Sequence, residues 1–306
     1  MATKKSAIVG FSVNAEIVQI YDRMTVQEKG RLQSIVPYLC GTSANVARAI
    51  NMLGQYSKVL ALTGIDNDFE SHVLRFALQK YTIPYHEFPI LNHSHISILP
   101  IDNIPNPQVF GLKGDIEKSK IEETVDKIKE EVGEWRIGTG ARPEELLLLK
   151  ALFNEHAGYR SLNPRQELIG DKNNFLDILK STDLLIMNHS EYDACKTTSP
   201  ADLHQYGPSL VIVTQNRFGG MFSKNGVEPE RFDSCNEYLD SNTKICGPGA
   251  GDWFHASFIV RCMELGKSIN TLSIEEVRDC INFATRVSGK KITMQGAANG
   301  PTQNDL

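Results

Sequence analysis

Apolar positions along this chain keep two alternating rhythms. Short apolar runs that read as buried strands occur at 6–13, 58–63, 135–137, 160–162, 184–187 and 210–214. Between them the apolar residues move to helical spacing. Val46, Ala47, Ile50 and Leu53 mark one face of a helix over 41–54, and Phe69, Val73, Phe76 and Ala77 mark a second. Over 115–132, Ile121, Val125, Ile128 and Val132 share a face and the Lys and Glu residues share the other, as in a solvated amphipathic helix. Another helix opens on Pro143, carries Glu144 and Glu145 in its first turn, and has Gly158 beyond its end. Asn225-Gly226 after Met221-Phe222-Ser223 signals a hairpin. The last helix starts at Ser273, where Glu276 completes a capping box, and runs to the region of residue 288.

Strand and helix in regular alternation predict an α/β fold, with a mainly parallel sheet, helices on both faces and right-handed crossovers. Residues 82–112 depart from the rhythm. They hold Pro84, Pro89, Pro100, Pro105 and Pro107 among short β-rich pieces, and proline cannot donate to a central ladder. With the mixed stretch 12–40, this segment reads as a β-rich lid on one domain spanning 1–306. Ligands of such sheets bind beyond the carboxyl ends of the strands, so the loops after strands form the functional edge.

Composition narrows the function classes. A chain of 306 residues with 41% hydrophobic and 23% charged residues is globular, and a net charge of -5 argues against nucleic-acid binding, which needs a basic surface. Six cysteines without CxxC pairs read as reduced core residues. Ser12, Asn14 and Glu16 break the apolar run that a leader would need, and Leu146 to Leu149 is too short to span a membrane. A cytoplasmic protein without membrane partners is therefore expected.

The stretch Cys246-Gly247-Pro248-Gly249-Ala250-Gly251-Asp252 breaks the pattern before Phe254, Phe258, Ile259 and Met263 resume it at helical spacing. A tight loop thus opens a helix. With nothing larger than methyl at Gly249, Ala250 and Gly251, its N–H groups can approach an anion at the positive end of the helix dipole. Asp252 is placed to cap that helix or to accept a proton from a molecule held over the loop. A plain glycine turn with an N-cap explains the same residues.

Other strand ends carry further candidates. Asn188 and Glu191 follow the strand 184–187, where an amide and a carboxylate suit the water shell of Mg²⁺ or, equally, a capped helix start. Thr214, Asn216 and Gly219 form a loop that suits a phosphate or any turn. Asn14 and Glu16 alternate out of the first strand, as on a ligand-bearing face or an exposed strand end. Gly41 opens the following helix, and Asn45 in its first turn can meet a substrate hydroxyl or cap. His93 and His95 share a strand face but show no third metal ligand, and His255 reads as a packed residue.

Together these stretches resemble the ribokinase family, also called the PfkB family of carbohydrate and nucleoside kinases, in the family's order and over nearly the whole chain. Gly249 to Asp252 is similar to the signature in which three N–H groups form an anion hole and the aspartate is the catalytic base. Asn188-xx-Glu191 resembles the magnesium-ordering motif, Gly10 to Glu16 and Gly41 to Gly54 the substrate strand and helix, and Asn163-Pro164 the Asp-Pro after a mid-chain strand.

The resemblance implies a ribokinase-like, three-layer, doubly wound fold with a small β-rich lid, and ATP-dependent phosphorylation of a hydroxyl on a small sugar. A nucleoside is the alternative acceptor, its base slotted among Tyr38, Tyr85, Phe88 and Phe110. A degenerate nucleotide- or sugar-binding regulator is the alternative outside enzymes, motivated by Cys40, Phe69, Asn216 and Cys246 in place of usual residues. It further implies ATP contacts at Asn188, Thr214, Asn216, Gly219 and Asn282, substrate contacts at Asn14, Glu16, Gly41 and Asn45, Mg²⁺ held through water by Asn188 and Glu191, and a homodimer through the lid. Relatives often bind K⁺ beside the glycine loop; Cys246 and Gly247, standing where Asp-Thr is usual, count against it here.

Overall fold

The computed structural model describes residues 5–21, 32–101, 110–154, 158–239 and 245–306, with only the backbone described for 14–21, 32–38, 97–101 and 110–112. Parts of the expected lid, including Pro105 and Pro107, lie outside the described residues.

The strands are β1 (Ser6–Phe11), β2 (Asn14–Tyr21), β3 (Leu32–Cys40), β4 (Tyr56–Gly64), β5 (Tyr85–Leu91), β6 (Ile96–Ile101), β7 (Phe110–Leu112), β8 (Trp135–Ala141), β9 (Tyr159–Pro164), β10 (Leu184–Asn188), β11 (Leu210–Thr214), β12 (Gly220–Lys224) and β13 (Glu230–Phe232). The helices are α1 (Thr42–Met52), α2 (Phe69–Lys80), α3 (Ile121–Lys129), α4 (Leu146–Leu152), α5 (Gln166–Gly170), α6 (Lys172–Leu179), α7 (His189–Cys195), α8 (Ala250–Leu265) and α9 (Ile274–Lys291).

The larger sheet runs β13-β12-β11-β10-β9-β8-β1-β4-β5. It is parallel from β11 through β5, and the Asn225-Gly226 turn adds β12 and β13 as an antiparallel hairpin at one edge. Helices α1, α2, α8 and α9 pack on one face through Ile50, Leu74, Phe258 and Ile281, and α3, α4, α5 and α6 on the other through Ile128, Leu149, Leu168 and Ile178. This is the three-layer α/β architecture that the alternating rhythm predicts. The strand order reverses at β1, between β8 and β4, which opens a crevice beyond the carboxyl ends of β1 and β8.

A second sheet of order β3-β2-β6-β7 takes the β-rich segments. Two boundaries differ from expectation. Asn14 and Glu16 do not continue the first strand: β1 ends at Phe11, and both residues lie on β2 of the small sheet. Residues Tyr85–Leu91 are not lid but β5, the edge strand of the large sheet beside β4, where Pro89 is tolerated because one side of an edge strand needs no donor.

Two helix faces are also rotated or shortened. Ser71, Leu74, Ala77 and Leu78 form the buried side of α2, while Phe69 and Phe76 are 66% and 55% exposed. Asp68 caps α2 by accepting from the Ser71 N–H at 2.7 Å and from the Ser94 N–H at 2.7 Å, so contacts outside the helix settle its rotation. Helix α3 ends at Lys129, leaving Val132 past its end and exposed. Pro143 opens a single 3₁₀ turn, Pro143–Glu145, from which α4 continues.

Candidate active site

Helix α8 is apolar on nearly every side, and Trp253, Phe254, Ala256, Phe258, Ile259 and Val260 are all buried. Such a helix belongs in the core, and α1 and α9 flank it. Its N-terminus is held by the chain's last segment. The Cys246 N–H donates to Ile292 O at 2.7 Å, Ser288 Oγ donates to Ala250 O at 3.1 Å, and Trp253 Nε1 donates to Ala297 O at 3.2 Å. Gly249 has φ 85°, and a Cβ there would sit 2.4 Å from Ala297 O, so both backbone and space demand glycine. Gly251 faces open space. The Ala250 N–H rests on Gly247 O at 3.1 Å.

Asp252 occupies the first turn of α8, half-buried, and accepts a hydrogen bond from Asn45 Nδ2 at 2.7 Å. Asn45 is 4% exposed, and its Oδ1 has no partner among the described residues. Burial pushes the Asp252 carboxyl up to about 7, opposed by the Asn45 hydrogen bond; the Glu191 carboxylate pushes it further up, and Lys291 and Arg165 pull it down. A carboxylate poised near neutrality is suited to take a proton from a hydroxyl.

Asn45 is placed by the join between β1, α1 and β8. Gly41 has φ 99° at the start of α1, and a Cβ there would meet Ser12 O at 2.3 Å. Ser43 then locks the turn: its N–H donates to Ser12 O at 3.0 Å, and its Oγ accepts from the Ser12 N–H at 3.0 Å and lies 3.2 Å from Thr139 Oγ1. Asn14 and Glu16 lie close by in sequence on β2, where the i, i+2 spacing puts them on one face of the small sheet.

On the other side of the loop lies a cleft of about 610 Å³, lined among others by Asn188, Thr214, Asn216, Gly219, Phe254 and Thr285. Gly247, Ala250 and Gly251 form its end nearest Asp252. Asn216 adopts φ 51°, the left-handed conformation that asparagine tolerates best after glycine. Asn282 departs from expectation: it is exposed and does not line the cleft, which receives Thr285, Ser288 and Gly289 from the same helix. At i, i+3 and i+7 Asn282 shares its helix stripe with Thr285 and Gly289, but it lies a turn earlier along α9, short of the cleft.

Asn188 and Glu191 cap each other at the start of α7. The Glu191 N–H donates to Asn188 Oδ1 at 2.9 Å, and the Asn188 N–H donates to Glu191 Oε2 at 2.8 Å. Burial pushes the Glu191 carboxyl up to about 7, and Arg165 lowers it in part. Among the described residues no group of three His, Cys, Asp or Glu could hold a metal ion directly. One carboxylate and one amide beside an open cleft do fit an ion that keeps most of its waters.

Neither His95 nor His255 belongs to a group of three possible metal ligands among the described residues. His95 is buried, its ring nitrogens 2.9 Å from the Gly114 nitrogen and 2.6 Å from Arg142 Nη2, and burial with Arg142 drives its pKa down to about 3. His255 packs inside α8 with Nε2 at 2.6 Å from Ser161 Oγ, and burial lowers it to about 3. Arg165 and Lys291 act on the Asp252 carboxyl through their charge, and pattern reading gives Lys291 no such role. Lys291 does leave a trace: it continues the buried face of α9 from Cys280, Ala284 and Val287, where a lysine is out of place.

Solved structures share this fold. A nucleoside kinase from Methanocaldococcus jannaschii, an archaeal member of the ribokinase family, superposes with a TM-score of 0.72 at 17% identity, covering 98% of this chain and 96% of its own. Ribokinase from Arabidopsis thaliana, solved with ribose and ATP, gives 0.69 at 17% identity over 99% and 97%. Phosphofructokinase-2 from Escherichia coli, solved with potassium, gives 0.72 at 14% identity over 99% and 96%. No curated protein matches at the level of sequence. The profile of the pfkB family of carbohydrate kinases matches residues 4–304. The chain thus belongs to the pfkB family of carbohydrate kinases, enzymes that phosphorylate a hydroxyl group of a sugar or nucleoside.

Proposed function

We propose that this kinase transfers the γ-phosphoryl group of ATP to a hydroxyl of a small sugar, with Asp252 as the general base. The observation that carries the reading is Asp252 itself: a carboxyl raised to about 7 in the first turn of α8, beside the glycine loop and aimed by Asn45. Asp252 takes the hydroxyl proton, the oxygen attacks the γ-phosphorus in line, and the bond to the β-phosphate oxygen breaks to release ADP. The N–H groups of Gly249, Ala250 and Gly251, at the positive end of α8, stabilise charge on the phosphoryl in flight; Ala250 exchanges Gly247 O for the phosphate.

ATP lies in the cleft of Asn188, Thr214, Asn216 and Gly219, with Phe254 and Thr285 beside it. Asn188 and Glu191 would hold a Mg²⁺ accompanying ATP through its water shell, and the ion would supply neutralising charge to the phosphates. Asn14, Glu16, Gly41 and the free Oδ1 of Asn45 hold the acceptor's hydroxyls, and the small sheet shields them from water. The Arabidopsis ribokinase solved with ribose and ATP supports the pairing of a sugar and ATP in this fold. Two of the four aromatic candidates for a base slot are gone: Tyr85 and Phe88 lie on β5 of the large sheet, and Phe88 is 1% exposed. That favours a sugar over a nucleoside. The bacterial phosphofructokinase-2 was solved with potassium; here Cys246 and Gly247 bring no side-chain oxygen, so K⁺ is left out of the reading.

The test is ADP release across pentoses, hexoses, their phosphates and nucleosides, with the product identified. A phosphorylated sugar is the expected outcome. Exclusive phosphorylation of a nucleoside replaces the acceptor, and ATP binding without ADP release on any of them defeats the catalytic reading.

A further inference from the structure

Lys291 is 0% exposed at the end of α9, and the only side-chain hydrogen bond it makes among the described residues is from Nζ to Met294 O at 3.3 Å. Burying an ammonium without a carboxylate partner is expensive, so the position calls for a compensating role. Its surroundings supply one. Segment 288–298 wraps the glycine loop through Cys246 N to Ile292 O, Ser288 Oγ to Ala250 O and Trp253 Nε1 to Ala297 O, and Lys291 sits within that wrap. Its charge reaches Cys246 at one end of the loop and Asp252 at the other, and both offset the effect of burial on the lysine.

We propose that the Lys291 ammonium is a built-in cation that holds the 246–251 loop in its phosphate-binding form, so that the site works without a bound monovalent cation. The functional half of this inference rests on the kinase reading above. Lys291 is a positioning residue: it donates to the Met294 carbonyl in the segment that wraps the loop and adds positive potential where phosphate charge develops, without touching the reacting atoms.

The experiment compares melting temperature, ADP affinity by calorimetry, and turnover in potassium chloride and in tetramethylammonium chloride at equal ionic strength. Wild type should be indifferent, within about twofold in affinity and turnover. Lys291→Ala, which vacates the ammonium's place, should lose about tenfold or more in ADP affinity. Potassium or ethylammonium, but not tetramethylammonium, should restore much of it. Lys291→Met, which keeps the volume without the charge, should show the loss without the rescue, and it carries the test if the alanine variant does not fold. A wild type that gains about tenfold in affinity or turnover from potassium overturns the proposal, as does a Lys291→Met protein equal to wild type in both. If wild type binds no ADP, the kinase reading fails separately, and the melting temperatures decide. Stabilisation of wild type by potassium then counts against Lys291, and potassium-specific stabilisation confined to Lys291→Ala counts for it.

Discussion

Asn45 Nδ2 lies 2.7 Å from Asp252 Oδ2 and joins the first turn of α1 to the first turn of α8, 207 residues apart in sequence. The contact gives Asn45 a second task. Besides the unpartnered Oδ1 proposed to meet an acceptor, its amide donates to the carboxylate, which holds it in one orientation and favours its ionised form.

Asp252→Ala removes the proposed base. Turnover should fall by about 10²–10⁴-fold, the usual worth of a positioned general base, while ADP affinity measured by calorimetry stays within a few-fold of wild type. Near-normal turnover in this variant would remove Asp252 from the mechanism.

The pH profile should report the same carboxylate. Only ionised Asp252 accepts a proton, so turnover should rise as pH increases through about 7 and flatten above it. Stability should move the other way. A folded-state pKa raised above 3.8 means that the native state resists deprotonation, so this group adds no penalty below the unfolded value and an increasing one as pH rises towards 7. Asn45, Glu191, Lys291 and Arg165 all face the group and are retained in Asp252→Asn. The melting temperature of that variant should therefore gain on wild type between pH 4 and pH 8, values chosen to bracket the titration.

Asn45→Ala takes away a hydrogen bond that lowers the Asp252 pKa. The acidic limb of the pH profile should shift to higher pH, and turnover at neutral pH should fall by about tenfold or more. A loss of turnover with the limb unmoved would mean that Asn45 acts only on the acceptor or on packing.

Gly249→Ala would place a methyl 2.4 Å from Ala297 O at a φ of 85°. Strain of this kind costs about 1–3 kcal/mol, so the melting temperature and ADP affinity should both drop. Gly251→Ala, whose Cβ meets open space, should melt like wild type. Equal melting temperatures for the two variants would show that the wrap around Gly249 is looser than described.

Much of the fold is legible in sequence because its signals are local. The Ser273 and Glu276 capping box appears as expected, with the Glu276 N–H donating to Ser273 Oγ at 3.2 Å and the Ser273 N–H donating to Glu276 Oε2 at 2.8 Å. The Asn225-Gly226 hairpin, the strands from β8 to β11 and the glycine loop opening α8 are equally local, since they depend on backbone preference and on period.

Where sequence reading goes astray, distant contacts outweigh local pattern. Phe69 and Phe76 are apolar at helical spacing, yet the cap at Asp68 and packing through Leu74 and Leu78 turn the other side of α2 inward. Tyr85–Leu91 carries Pro89 within the proline-rich stretch 82–112, yet pairing with β4 makes it an edge of the large sheet.

By itself, then, the sequence determined the alternation of strands and helices, the glycine loop that opens α8 and the carboxylate that follows it, because each depends on residues within one or two turns of each other. Tertiary structure alone decided that Asn45 donates to Asp252, that Asn282 lies short of the cleft, and that Lys291 is buried beside the segment that wraps the loop. Those outcomes depend on how α1, α8 and α9 pack over the sheet, and no spacing along the chain encodes which side chains such packing brings within hydrogen-bonding distance.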